Sequence, residues 1–489
     1  MTGLGDKIED ANTGGERIAG SASTSGIVTK PAADNPHADF KVTERYRNYV
    51  VWLLFVVYVF NFVDRQILSI VMEPIKQELG LHDWQLGVLS GLAFAFLYST
   101  LGIPIARMAD HKSRVSIITW SLVVWSSFTA VTGFAGSFWH VLFARVGVGI
   151  GEAGCSPPAY SLISDYFEPK KRATALSIYS MGVYGGGALG FLVGGFIAQE
   201  YGWRMAFFVV GLPGILLALL VKATLREPPR GFADGVQRVA EPPPFKKVLT
   251  DLWSKPSFRH LSFAAGLHAF VSYGVGTFYA PFLSRTHGMA LAEAGRWLSL
   301  VVAVGGFLGT YYGGWISDRL YAKKPDVRYY IWVPAITLVL NVPFGLLVYG
   351  IDGKMAVVWS LIPYIALSAA YLAPSIATTH RLVGLRERAV AGAVLLLVLN
   401  LIGLGLGPMF TGFVSDMLRS RFLEQGVADA QATADGLRWS IRLTVLINGW
   451  AALHYWLAGK TLIEDIAEGT RARGEVAAAL EAELAAKKA

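Results

Sequence analysis

The sequence predicts an all-α, polytopic membrane protein of twelve transmembrane helices in two pseudo-symmetric six-helix halves. Three observations predict it: long apolar runs separated by short polar loops, Lys and Arg gathered in alternate loops, and short motifs that recur in the second half. Of 489 residues, 53% are hydrophobic and only 16% charged, against roughly a quarter charged in soluble domains. Charge is scarce because lipid-facing helices hold it only at a cost.

Residues 1–44 are polar, rich in Gly, Ser and Ala, and lack the apolar core of a signal peptide, so they read as a disordered cytoplasmic tail. The first six-helix bundle, 45–225, holds apolar runs at 49–72, 85–108, 115–135, 139–167, 173–199 and 204–221. Residues 226–257 carry Glu227-Pro228-Pro229-Arg230 and Pro242-Pro243-Pro244. A Pro-rich polar stretch leaves backbone groups unsatisfied in lipid, so this is a cytoplasmic central loop, with a short surface helix near 245–253. The second bundle, 258–462, holds runs at 261–284, 295–316, 330–349, 356–380, 390–417 and 437–458. Each run can cross a hydrocarbon core of roughly 30 Å at about 1.5 Å per residue. Residues 463–489 are rich in Ala, Glu and Lys and predict a helical cytoplasmic tail.

Lys112 and Arg114, Lys170 to Arg172, Arg319 to Arg328, and Arg381 with Arg388 fall in alternate loops, on the side of the central segment and both chain ends. The positive-inside rule then makes both termini cytoplasmic in a bacterial inner membrane. Arg419, Arg421 and Arg438 on the other side are outnumbered. The net charge of +8 is this loop bias, and no nucleic-acid partner is expected. Cys155 is the single cysteine, which excludes an intrachain disulfide. No His/Cys/Asp cluster has metal-ligand spacing and no phosphate-binding loop is present, so neither a metal nor ATP-driven pumping is expected. Gly147-x-Gly149-x-Gly151 sits inside an apolar helix with no strand before it, which excludes a dinucleotide site.

The halves echo each other. Ala106-Arg-Met-Ala-Asp110-His111 closes the second run and Gly314-Trp-Ile-Ser-Asp318-Arg319 the eighth; Arg172-Ala-Thr-Ala opens the fifth and Arg388-Ala-Val-Ala the eleventh. Repetition of this kind belongs to two-half transporters, whose site lies between the halves. At these residues the sequence resembles the major facilitator superfamily over 46–460. That resemblance implies a conformational latch of Asp110, Arg114, Asp165, Asp318 and Arg319 at the cytoplasmic ends of the helices. Physically, Asp110 can meet a helix N-terminus and Arg114 can meet Asp165. Gly186 to Gly195 resembles an exchanger element with Phe191 in place of Pro; it reads as close helix packing. Asn61-Phe-Val-Asp64-Arg65, Arg145 to Ala153, and Ser156-Pro-Pro-Ala-Tyr160 with its sequel to Phe167 resemble the Spinster-like lipid transporters.

Asp64, Arg65, Arg145 and Glu152 lie deep in the first and fourth runs. Isolated ions there cost several kcal/mol, whereas two acids with two bases form a neutral set. Arg145 and Glu152 share a helix face about 10 Å apart along the axis, so a partner from the first run is needed to bridge them. Burial favours a neutral carboxyl and a nearby guanidinium favours a charged one, so a change of pairing moves a proton. Asp64 and Glu152 are therefore the expected proton-coupling residues, and protons the only coupling species. Arg65, Arg145, Asn61, Tyr371, Asn400 and His268 are the candidate substrate contacts. Seventh, tenth and eleventh runs almost free of charge suit an amphipathic substrate: a lysophospholipid, sphingosine or a sphingosine-1-phosphate-like lipid. A small organic anion such as a sugar acid is the alternative reading, and a membrane-embedded transferase the one from another class. The expected partners are that lipid-like substrate and the surrounding membrane lipid, with the chain a monomer.

Overall fold

The computed structural model describes residues 40–234, 245–384 and 387–486; residues 1–39 of the expected tail lie outside them. The first half comprises α1 (Glu44–Leu79), α2 (Asp83–Ser90), α3 (Leu92–His111), α4 (Arg114–Thr132), α5 (Phe138–Glu152), α6 (Ser156–Tyr166), α7 (Pro169–Ser180), α8 (Gly182–Tyr201) and α9 (Trp203–Thr224). A short α10 (Phe245–Ser254), where a surface helix was expected, leads into the second half. There follow α11 (Pro256–Thr277), α12 (Tyr279–His287), α13 (Leu291–Lys323), α14 (Tyr329–Val348), α15 (Lys354–Ala369), α16 (Leu372–Arg381), α17 (Arg388–Val398), a π-helical segment (Leu399–Leu406), α18 (Gly407–Glu424) and α19 (Asp429–Ala486).

Local chemistry sets the helix ends. Thr43 accepts a hydrogen bond from the Tyr46 N–H, Ser113 from that of Ser116 and Ser137 from that of His140, each satisfying a donor of a first turn. Gly80, at φ 62°, closes α1 in the left-handed conformation that glycine adopts without penalty. Among the described residues nine segments are long and apolar enough to cross a membrane, and α11 with α12, bent by 47°, makes a tenth. The other two of the twelve spans are α5–α6, which carries Arg145 and Glu152, and the early part of α19, which carries Arg438 and Arg442. The segment expected as a separate C-terminal tail continues as the same 58-residue helix.

Small residues bring the spans together. A Cβ on Gly186 or Gly190 would strike the α1 backbone at Val59 or Val63, so this stripe of α8 lies directly on α1. The halves then meet in two related places. α8 meets α13, where a Cβ on Gly195 would stand 2.6 Å from Leu291 O and one on Gly295 2.3 Å from Phe191 O. α2 and α3 meet the π-helical segment and α18, where Gly87 would clash with Pro408 O and Gly91 with Leu404 O. Both seams lie at mid-depth or toward the face opposite the Lys112 loop. Among the described residues the halves are therefore clasped at mid-depth and at that opposite face, while α6 and α7 do not pack on α16 or α17 at the basic one, where the halves part.

The segment after α9 is strapped to the first half. Arg114, fully buried, ion-pairs with Asp165 and donates from Nε to Glu227 Oε1 at 2.7 Å and from Nη2 to Pro228 O at 2.8 Å. Glu227 also accepts from Ser113 Oγ and the Val115 N–H, both at 2.9 Å, and Asp165 from the Gly231 N–H at 3.0 Å. Partial burial pushes the Glu227 carboxyl up, but the Val115 N–H, Arg114 and Ser113 outweigh it and hold it below the usual carboxylate range. A carboxyl depressed in the fold stabilises it above its unfolded pKa, and that contribution is lost as pH falls through the folded value. Glu227→Gln should thus cost about 1–2 kcal/mol near neutrality. Thermal unfolding in detergent should show the gap to wild type closing on acidification below about pH 4; a gap independent of pH would refute the assignment.

Candidate functional site

Four intramembrane charges converge inside the first half. α1 supplies Asp64 and Arg65, while α5 supplies Arg145 and, at its last turn, Glu152. Arg65 Nε donates to Glu152 Oε2 at 2.7 Å. Asp64 lies within electrostatic reach of Glu152, Arg145 and Arg65, with Thr129 of α4 beside it. Asp64, Arg145 and Glu152 are only 2%, 3% and 1% exposed, whereas the Arg65 side chain keeps 15%. Aromatic faces compensate the guanidinium groups: Arg65 lies 4.9, 4.8 and 4.7 Å from the ring centres of Phe62, Phe94 and Tyr98, and Arg145 lies 5.4 Å from the same Phe94. Among the described residues, Glu152 Oε1 and Asp64 Oδ1 have no hydrogen-bond partner. The set is neutral, and Arg65 is its outward-facing member.

Arg65 looks toward the second half, within electrostatic reach of Tyr98 and of Tyr273 on α11, which is 37% exposed. Tyr273 in turn neighbours Tyr371, which lies close to Tyr184 of α8. Apolar-span sequence does not single out Phe94, Tyr98 or Tyr273, since aromatic residues there also serve lipid and core.

The expected substrate contacts differ in where the fold places them. Asn61, 1% exposed, is buried beside Glu152, and Arg145 is buried behind the α1–α5 seam with its Nε donating to Leu89 O at 3.4 Å. Neither meets the space between the halves in this state. His268, fully buried, has Nδ1 2.9 Å from Asn448 Oδ1 and Nε2 2.8 Å from Ser368 O. Asn448 donates onward to Asn341, and Asn341 to Tyr364 O, so His268 belongs to the internal hydrogen bonding of the second half. Tyr371 is half-buried, edge-on to the His268 ring at 4.4 Å between centres. Asn400 is half-buried in the π-helical segment, a local widening frequent at functional sites.

Of the expected latch, Arg114 and Asp165 do meet, but inside the first half. Asp318 accepts from the Tyr330 hydroxyl at 2.5 Å and Arg319 stacks 5.1 Å from the Trp315 ring centre, both inside the second half. Asp110 lies in the last turn of α3, and its side chain lies outside the described residues. None of the four described residues bridges the halves here, because the basic face is where the halves part.

The bridge stands at the opposite face. Arg285 of α12 donates from Nη1 and Nη2 to Asp83 Oδ2 and Oδ1 at 2.7 and 2.8 Å, and from Nε to Glu73 Oε2 of α1 at 2.7 Å. Lys76 Nζ and, from α18, Ser415 Oγ also donate to Asp83, each at 2.7 Å. Asp416 of α18 accepts from the Asp83 and Trp84 N–H groups at 3.1 and 2.8 Å, so the second half caps a helix of the first. Acidic residues beside these span ends are visible in the sequence, but their partner across the halves is not.

Residues 54–418 match the family model of the major facilitator superfamily. An efflux pump of this superfamily from Mycolicibacterium smegmatis is 34% identical over 90% of this chain and 99% of its own. The chain belongs to the major facilitator superfamily. Within that superfamily it is also similar to the hexuronate transporter of Bacillus subtilis, 25% identical over 75% of this chain and 87% of the relative. Among solved structures, a bacterial homologue of the human lysosomal transporter Spinster, inward-facing and unoccupied, superposes with a TM-score of 0.79 at 35% identity, covering 87% of this chain and 99% of that one. Superfamily membership together with the likeness to the bacterial Spinster homologue makes the chain a Spinster-like polytopic membrane transporter rather than a membrane-embedded transferase.

Proposed function

We propose that this protein is a proton-coupled, alternating-access carrier of an amphipathic lipid with an anionic head, of the lysophospholipid or sphingosine-phosphate kind. It works as a monomer in the bacterial inner membrane with both termini cytoplasmic, and protons are its only coupling species. The observation that carries the reading is Arg65: the one cavity-facing cation of a buried neutral quartet, ringed by Phe62, Phe94 and Tyr98 and faced by Tyr273 from a half with little charge. A guanidinium binds phosphate or carboxylate, and aromatic walls receive a chain. Asp64, with one oxygen lacking a partner among the described residues, holds the transported proton, and Glu152 exchanges Arg65 for it as the halves rock. The basic face is cytoplasmic because it carries most of the loop Lys and Arg.

A small organic anion is the second reading, supported by the likeness to a hexuronate transporter and by the same Arg65. Purified protein in vesicles, offered labelled lysophospholipid, sphingosine phosphate and a hexuronate with and without a proton gradient, separates the two. Lipid uptake raised by the gradient, without hexuronate uptake, is expected; hexuronate uptake alone would replace the lipid assignment.

A further inference from the structure

The outer flank of the first half carries a groove that the central site does not use. It has a volume of about 520 Å³ and lies between α3, α4 and the end of α5, within the roughly 300–1,000 Å³ typical of small-molecule sites. Its length is one stripe of α4 from Ser113 through Ser116 and Trp120 to Val124, about 16 Å at 1.5 Å per residue. That is one leaflet of a core roughly 30 Å thick. Ile105, Met108 and Ile150 form its apolar walls. Trp120, 69% exposed, stands at its edge.

Chemistry changes along the groove. At the end nearest the basic face stands Lys112, exposed, and Lys222 of α9 donates to Ser116 Oγ at 3.3 Å. The nearby Glu227 carboxylate is already taken by Arg114, Ser113 and the Val115 N–H, and the Arg230 guanidinium donates to Lys112 O at 3.0 Å, so the mouth is cationic. A groove apolar at mid-leaflet and cationic at headgroup depth is complementary to one molecule of its own solvent.

We propose that an anionic phospholipid of the basic-face leaflet occupies this groove, its phosphate between Lys112, Lys222 and Ser116 and one acyl chain along Trp120 and Val124. Juxtamembrane lysines select anionic over zwitterionic heads, and the acyl chain covers α4 and α5 where a gap would otherwise stand. This lipid is resident rather than transported, and its assignment is independent of the proposed substrate.

Native mass spectrometry of the full chain, titrated with phosphatidylglycerol or phosphatidylcholine of identical chains, tests the site. Wild type should retain phosphatidylglycerol at least about tenfold better. Lys112→Ala with Lys222→Ala should reduce it to the phosphatidylcholine level, and Val124→Trp, which fills the groove, should reduce binding of both. As a measurement independent of that bulky variant, chain-brominated phosphatidylglycerol should quench tryptophan fluorescence, and Trp120→Phe should remove a distinct component of the quenching. Equal retention of the two lipids, a preference that survives the double lysine variant, or glycerol phosphate binding as well as the whole lipid would overturn the assignment.

Discussion

Asp64→Asn and Glu152→Gln, each reconstituted in vesicles, are expected to lose the uptake component driven by a proton gradient, a fall of about tenfold or more. Coupling of that size corresponds to about 1.4 kcal/mol, within the usual range for linked sites. The two variants should differ in their side effects. Asp64 is sealed behind Arg65 and has an oxygen without a partner among the described residues, so an amide there keeps shape and neutrality when the carboxyl would be protonated. Its fold and substrate affinity should stay near wild type. Glu152 is the direct partner of Arg65 at 2.7 Å, and removing its charge leaves that guanidinium more available to a substrate anion. Glu152→Gln should therefore bind an anionic substrate as well as or better than wild type while failing to respond to the gradient. Arg65→Lys should weaken binding itself, because a point charge does not reproduce a planar fork. Gradient-dependent uptake preserved in both carboxyl variants would reduce the quartet to a packing device.

Arg285→Ala is expected to open the face at which the halves are now clasped. Asp83 is 1% exposed and shared by Arg285, Lys76 and Ser415, and removing one member of a buried ion network costs about 3–5 kcal/mol. The lower end applies, because Lys76 and Ser415 keep hold of the carboxylate. Only the clasped state bears that cost, since opening hydrates the carboxylate. A bias of this size moves most of a two-state population, given that about 5.5 kcal/mol carries one from 1:99 to 99:1. Spin labels on His82→Cys and Gln425→Cys in a Cys155→Ser background should report a longer distance across the opposite face. Lys354→Ala breaks a half-exposed pair with Glu293 inside the second half and should leave that distance alone. An unchanged distribution in the Arg285 variant would show that glycine packing alone holds the seam.

Depth in the membrane was legible and azimuth was not. Asp64, Arg65, Arg145 and Glu152 stand out because charge in an apolar run is rare, so their convergence could be anticipated from two helices alone. Asn61 sits one turn from Arg65 and shares its polarity, yet packing turns it against Glu152 and away from the cavity. His268 carries the same polar signal as a binding residue, but Asn448, Asn341 and Ser368 already satisfy it. Tyr98 and Tyr273 were invisible for the opposite reason, since nothing in an apolar helix distinguishes a cavity-lining tyrosine from one facing lipid.

By itself the sequence determined what depends on the solvent: twelve spans, two echoing halves and a neutral buried quartet, because hydrocarbon penalises every unpaired charge and open backbone group wherever it falls. Only the tertiary structure decided which guanidinium reaches the cavity, that Arg114 straps the central segment, and that Arg285 meets Asp83 some two hundred residues away. Those contacts depend on how helices rotate against one another, and that rotation is set by glycine-on-backbone approaches between distant spans, such as Gly295 on Phe191, which no local pattern encodes.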